Sequence, residues 1–280
     1  MQKTTLQTNA KLSFTEFALN NARDVVLRSN DASHFFHNLA QLPQTIYALS
    51  SLEAKLGMTF RSYEWPLKAL IHRSFMNDAK DKGINSNERL EFLGDSLVGA
   101  IVSKTLFEKF NHLPEGDLSK LRAALVNEIS FTELAKCLGL QDLLIVGKGE
   151  FIDKNYLSGG ALADAFEAMM AAVFKDQGQE ALELAFNNTI QLLDDSFYDV
   201  KRLNDFDPKT RLQEKTMALY KVAPIYEAKE VTIGKFLVTL KIQEKNILSL
   251  EGHSKKKTEK ELARRVLAQN LHLEGDQNAH

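Results

Sequence analysis

Apolar side chains recur every three to four residues through most of the chain, the period of helices packed on one side. Phe14, Phe17, Ala18, Val25 and Val26 mark a helix over Ser13 to Ser29, and Phe35, Phe36, Leu39 and Leu42 mark another. A polar, glycine-containing loop is predicted from Asn77 to Asn87, then a helix running to about Phe110. Leu97 to Val102 of that helix is apolar all round, which predicts burial on every side. Pro114-Glu115-Gly116-Asp117 predicts a turn, and Leu118 to Val126 the start of the next helix. A short apolar run, Leu140 to Val146, precedes a mostly apolar helix over Leu162 to Phe174 and a further helix over Ala181 to Leu193.

Beyond Phe206 the pattern changes. Pro208 stands near the start of a helix. Phe236, Val238, Leu240 and Ile242 then alternate with Leu237, Thr239 and Lys241, the period of a half-buried strand. A polar turn, Glu244-Lys245-Asn246, leads to a return strand over Ile247 to Glu251. Ser254 is the candidate N-cap of a last helix whose core stripe is Leu262, Ala263, Val266 and Leu267.

Composition adds a charge asymmetry. The 280 residues carry a net charge of only −2. Residues 1–206 hold 21 Lys+Arg against 27 Asp+Glu, whereas residues 207–273 hold 14 against 8. A basic C-terminal module on an acidic body points to a polyanionic partner. The single cysteine, Cys137, excludes an intrachain disulfide and Cys-rich zinc modules. No apolar run approaches the roughly 20 residues of a membrane span, so no membrane partner is expected. Met1 to Lys11 is polar, which makes a cytoplasmic protein the default; Lys3, Lys11, Arg23 and Arg28, with few acids among them, leave an organelle transit peptide as the alternative.

The candidate chemistry lies in two acidic clusters. Glu88, Glu91 and Asp95 are spaced i, i+3, i+7, and at about 100° per residue they share one stripe. Asp164 and Glu167, at i and i+3, mark a similar face on the other apolar helix. Acids at a helix start ordinarily stay in water, but two near-buried helices with acidic faces point to one divalent-cation site. Ligands that are all oxygen select Mg²⁺ or Mn²⁺ over zinc. His72, read as lying inside an apolar helix, is taken as a hydrogen-bonded structural residue. Gly147-Lys148-Gly149-Glu150 is not a phosphate-binding P-loop, since no Ser or Thr follows the lysine.

Glu88-Arg89-Leu90-Glu91-Phe92-Leu93-Gly94-Asp95-Ser96 resembles the signature of the ribonuclease III family, and Asp164-Ala165-Phe166-Glu167-Ala168 resembles that family's second acidic motif. The likeness begins near Leu52 and continues through Leu67 to Ser74. It implies an all-α endonuclease domain followed by a small α+β (α-β-β-β-α) double-stranded-RNA-binding domain. The expected divisions are an N-terminal extension (1–50) that the likeness leaves unexplained, the endonuclease domain (51–200), a linker (201–206), the RNA-binding module (207–273) and a tail (274–280).

The same resemblance implies Mg²⁺, with Mn²⁺ as a substitute, held by Glu91, Asp95, Asp164 and Glu167. Asp95 and Glu167 would lie closest to the chemistry, with Glu88 supporting the ligands or positioning RNA. The expected partners are double-stranded RNA and a second copy of the chain, into which Phe92 would insert. Gln213 and Glu214 would face one minor groove, and Lys255, Lys256 and Lys257 the adjoining phosphates. Lys120 and Arg122 fit either an RNA contact or a solvated edge. Two departures stand out: a short segment between Glu150 and Leu162, and no Gly-Pro-x-His loop between the first two strands, where the chain reads Glu230-Val231-Thr232-Ile233-Gly234-Lys235. A non-catalytic RNA-binding or ribosome-associated protein of the same fold is the competing reading.

Overall fold

The structure is a computed structural model that describes residues 14–79, 82–193, 197–198 and 208–269. The expected linker and tail, the N-terminal stretch Met1 to Lys11 and the ends of the RNA-binding module lie outside the described residues. The chain divides into two compact units, residues 1–197 and 198–280.

In the first unit the described regular elements are helices: α1 (Phe14–Arg28), α2 (Ala32–Ala40), α3 (Pro43–Leu56), α4 (Glu64–Ala69), α5 (Glu88–Lys109), α6 (Glu115–Leu125), α7 (Glu128–Leu138), α8 (Lys148–Asp153), α9 (Gly159–Gln177) and α10 (Gln179–Gln191), with short 3₁₀ turns between some of them. Helix α9 is the axis of the unit. Its sequence is rich in alanine, the strongest helix former, and Ser158 caps its start by accepting the Ala161 N–H. From Ala161 to Val173 it is buried except at Asp164 and Glu167. Helices α4, α5, α7 and α10 pack around it.

Three local expectations change, and one stretch given no element by the sequence pattern gains one. Helix α5 buries only one face, through Gly94, Val98, Ile101, Val102 and Leu106; Ala100 is exposed and Phe107 is 71% exposed. Its outer apolar face is uncovered among the described residues of this unit. The turn expected at Pro114 is instead the first turn of α6, whose acids Glu115 and Asp117 favour the positive end of the helix dipole. The glycines around Lys148 open the short helix α8. His72 lies outside any helix, in extended backbone just before the 3₁₀ turn Arg73–Asn77.

The N-terminal helices belong to this unit, and α3 runs unbroken across position 50. Phe35 of α2 packs on Phe75 with ring centroids 6.1 Å apart. Arg23 of α1 pairs with Asp78 at 2.6 Å, and Lys82 donates to the Ser29 carbonyl. The extension thereby grips the stretch that leads into α5. Cys137 of α7 is half-buried with its sulfur 3.9 Å from the Leu192 carbonyl oxygen.

The second unit contains α11 (Pro208–Tyr220), then β1 (Ile225–Thr232), β2 (Lys235–Ile242) and β3 (Lys245–Gly252), then α12 (Lys255–Gln269). The strands form one antiparallel sheet in the order β1-β2-β3. Val238, Leu240 and Ile242, alternate residues of β2, form a core with Leu212 of α11 and Leu262, Ala263 and Val266 of α12. Both helices therefore cover the same face of the sheet. The second hairpin turns at Gln243-Glu244, both with positive φ, rather than across Lys245 and Asn246, which are strand residues.

Candidate active site

The site is built where α5 meets α9. Asn87 fixes the start of α5: its backbone N–H donates to the Ile71 carbonyl at 2.9 Å and its side chain to the Ala69 carbonyl at 3.1 Å. Two turns further on, Gly94 faces the backbone of α9. A Cβ at this position would overlap the Glu167 carbonyl, so the helices approach this closely only because the side chain is absent.

That approach brings together carboxylates some seventy residues apart in sequence. Glu91, Asp164 and Glu167 each offer an oxygen, and these oxygens lie within 4.8 Å of one another. All three side chains are half-buried. Asp95 stands one helical turn beyond Glu91, is exposed, and is not within that trio. Glu88 is exposed and accepts a hydrogen bond from Ser86 at 2.5 Å.

The electrostatics follow from this packing. Burial, reinforced by Asp95, Glu91 and Asp164, pushes the Glu167 carboxyl up to about 8. Burial also raises Glu91, with Asp164 and Glu88 adding to it, and raises Asp164 against the opposing charges of His72 and Arg73. Repelling carboxylates of this kind are compensated by protons or by cations. An oxygen-only, half-buried set fits a hard divalent ion.

His72 also stands beside the cluster. Its Nδ1 accepts from the Ser74 N–H at 3.3 Å and lies 2.8 Å from the Ser74 hydroxyl, which itself accepts from the Gly147 N–H at 3.0 Å. Burial lowers its pKa and favours the neutral ring. It is the hydrogen-bonded residue anticipated, but it flanks the acids, which its distance in sequence from both motifs concealed.

In the second unit, Gln213 and Glu214 are exposed on α11, and Lys255, Lys256 and Lys257 are exposed in the first turn of α12. The Ser254 side chain caps that helix by accepting the Lys257 N–H at 3.5 Å. The β1–β2 connection is a two-residue turn, Ile233-Gly234, with Ile233 fully exposed. His253 comes from the other end of the sheet sequence to bond the Gly234 carbonyl at 3.1 Å through Nδ1. No sequence pattern had linked His253 to that turn.

The family model for a ribonuclease-III-like domain matches residues 64–193. Ribonuclease 3 of Myxococcus xanthus is 38% identical over 221 residues, spanning 77% of this chain and 84% of that protein. The chain belongs to the ribonuclease III family. Ribonuclease 3 of Helicobacter pylori strain G27 is 37% identical over 76% of this chain and 88% of its own length. Among solved structures, the nuclease domain of the Campylobacter jejuni ribonuclease III is 38% identical and covers 51% of this chain and 96% of that one, with a TM-score of 0.47. As a member of the family the chain is an endoribonuclease acting on double-stranded RNA, and the carboxylate cluster is the place where a family metal fits. The non-catalytic alternative retains no observation of its own.

Proposed function

We propose that this chain hydrolyses double-stranded RNA by two-metal catalysis with Mg²⁺, for which Mn²⁺ substitutes, held by Glu91, Asp95, Asp164 and Glu167. The convergence of Glu91, Asp164 and Glu167 oxygens within 4.8 Å carries this reading. When bound, divalent ions at these carboxylates supply an activated water and offset charge on the leaving oxygen. The protein's part is positioning. Gly94 lets α5 and α9 close up, Asn87 fixes where α5 begins, and burial keeps the carboxylates directed at a common point. Asp95, the exposed member, and Glu167 lie closest to the chemistry, and Glu88 supports the ligands or positions RNA.

Recognition of the duplex falls to Gln213 and Glu214 at a minor groove and to Lys255, Lys256 and Lys257 at the phosphates. Phe92 lies next to Glu91 in sequence and is 78% exposed, a costly position for a phenyl ring unless a second subunit covers it. A homodimer places two sites on opposite strands, which leaves 5′-phosphates and short 3′ overhangs in rRNA, mRNA or other structured RNA. The proposal places this work in the cytoplasm; no described helix is long and apolar enough to cross a membrane.

Cleavage of a long perfect RNA duplex, wild type against Glu167→Ala, with end mapping of the products, tests this. Staggered 5′-phosphorylated fragments, absent in the variant while duplex binding survives, are expected. Binding without cutting by the wild type in both Mg²⁺ and Mn²⁺ would contradict it.

A further inference from the structure

The stretch between α4 and α5 carries a cation to the rim of the carboxylates and holds it there. Ile71 pairs with Ile145 as an isolated parallel bridge, through His72 N–H to the Ile145 carbonyl at 2.9 Å and Ile145 N–H to the Leu70 carbonyl at 2.8 Å. The Ile71 carbonyl also accepts from Asn87, the residue that starts α5. On the other side, the Ser74 hydroxyl is bonded by Gly147, and Phe75 is buried against Phe35. A Cβ on Gly147 would sit 2.5 Å from the Ser74 carbonyl oxygen, so this strap lies tight against the 145–147 segment.

Arg73 stands between these fixed points. Its backbone is anchored on both sides, yet its side chain is exposed and makes no hydrogen bond or ion pair among the described residues. It is near enough to Glu91 and Asp164 for its charge to draw both carboxyls down against the effect of burial. A cation whose task was to neutralise these acids would pair with one of them. This one makes no such pair, and its backbone is tied on both sides by the Ile71–Ile145 bridge and the Ser74–Gly147 bond. A guanidinium offers five donors in a flat fork that matches a phosphate.

We propose that Arg73 binds an RNA backbone phosphate next to the scissile bond, so that a polyanion can lie against the carboxylates. This rests on the reading of the cluster as the cutting centre. It makes Arg73 a substrate contact supplied by the strap, separate from the acidic motifs and from the C-terminal module.

The test uses the full chain as wild type, Arg73→Ala and Arg73→Lys, measuring duplex cleavage over a range of salt and, separately, Mn²⁺ binding by calorimetry. Arg73→Ala is expected to lower kcat/KM about ten-fold, the scale of a hydrogen bond to a charged group. It should also reduce the salt slope of log kcat/KM by about one, the signature of a lost phosphate contact. Arg73→Lys should restore the slope but only part of the rate. Mn²⁺ affinity should hold or rise, since a neighbouring positive charge has gone. A wild type that cuts beside an Arg73→Ala variant with unchanged rate and slope overturns the proposal alone. So does a loss of rate fully explained by weaker Mn²⁺ binding. A wild type that cuts no duplex with any divalent ion overturns the nuclease reading and this proposal with it.

Discussion

Gly94 of α5 packs directly on the backbone carbonyl of Glu167 in α9, with no room for a Cβ between them. The closeness of two helices and the closeness of their carboxylates are therefore one fact. Gly94→Ala must force the pair apart, at about 1–3 kcal/mol of overpacking cost, and should weaken metal binding along with stability. Gly99, in the same helix, has nothing within 4 Å of its virtual Cβ. Gly99→Ala should be neutral or stabilise by up to about 1 kcal/mol through helix propensity. Denaturant melts and Mn²⁺ titrations of the two variants check this, and equal effects would contradict it.

The raised carboxyls set a pH dependence. Metal-free folded protein holds a proton on Glu167 up to about pH 8, whereas the unfolded chain releases it at the ordinary glutamate value. The folded state binds more protons in that window, so stability falls as pH rises through it. The melting temperature of metal-free protein should decline from about pH 5 to about pH 8, with a shallower decline in Glu167→Gln. Divalent-ion binding near pH 7 should release a proton, visible as a calorimetric heat that scales with buffer ionisation enthalpy. A heat independent of buffer would count against this.

Phe92 is exposed in the single chain beside a half-buried acid. Phe92→Ala should shift the protein from dimer toward monomer in sedimentation while leaving helical content and melting of the chain near wild type, since the ring makes no large burial at home. An unchanged dimer would remove Phe92 from the interface.

The short Ile233-Gly234 turn leaves the C-terminal module without a long loop to reach a second minor groove. Residues 207–273 have their own core and should bind a short duplex weakly, with affinity falling steeply as salt rises. Tight binding that resists salt would show that the turn, with His253 beside it, replaces the loop.

The sequence displayed the periodic parts of this molecule. Alternation in β2, the apolar run of α9 and the Ser254 cap are local patterns, and each occupies the place its spacing implied. Glu91, Asp164 and Glu167 were legible because short i, i+3 spacings put acids on one helical face. What it hid was set by packing between distant segments. Nothing near Gly94 announces which backbone it touches, and His72 and Arg73 reach the acids only through the Ile71–Ile145 bridge and the Asn87 bonds. The boundary at residue 50 reflected where motif likeness stops, while α3 continues because its helical spacing does. The turn at Pro114 misled because Pro, Glu and Asp serve turns and helix starts alike.

The contact between α5 and α9 has a bearing on turnover. It is part of the central packing of the unit, and the acids that oppose each other are set into it. A cation that binds only the closed pair adds stability with its concentration, about 2.7 kcal/mol at a hundred times its dissociation constant. Proteases act on the opened form, whose population follows that free energy. On the proposed reading, divalent-ion supply would set how long each molecule resists proteolysis as well as how fast it cuts.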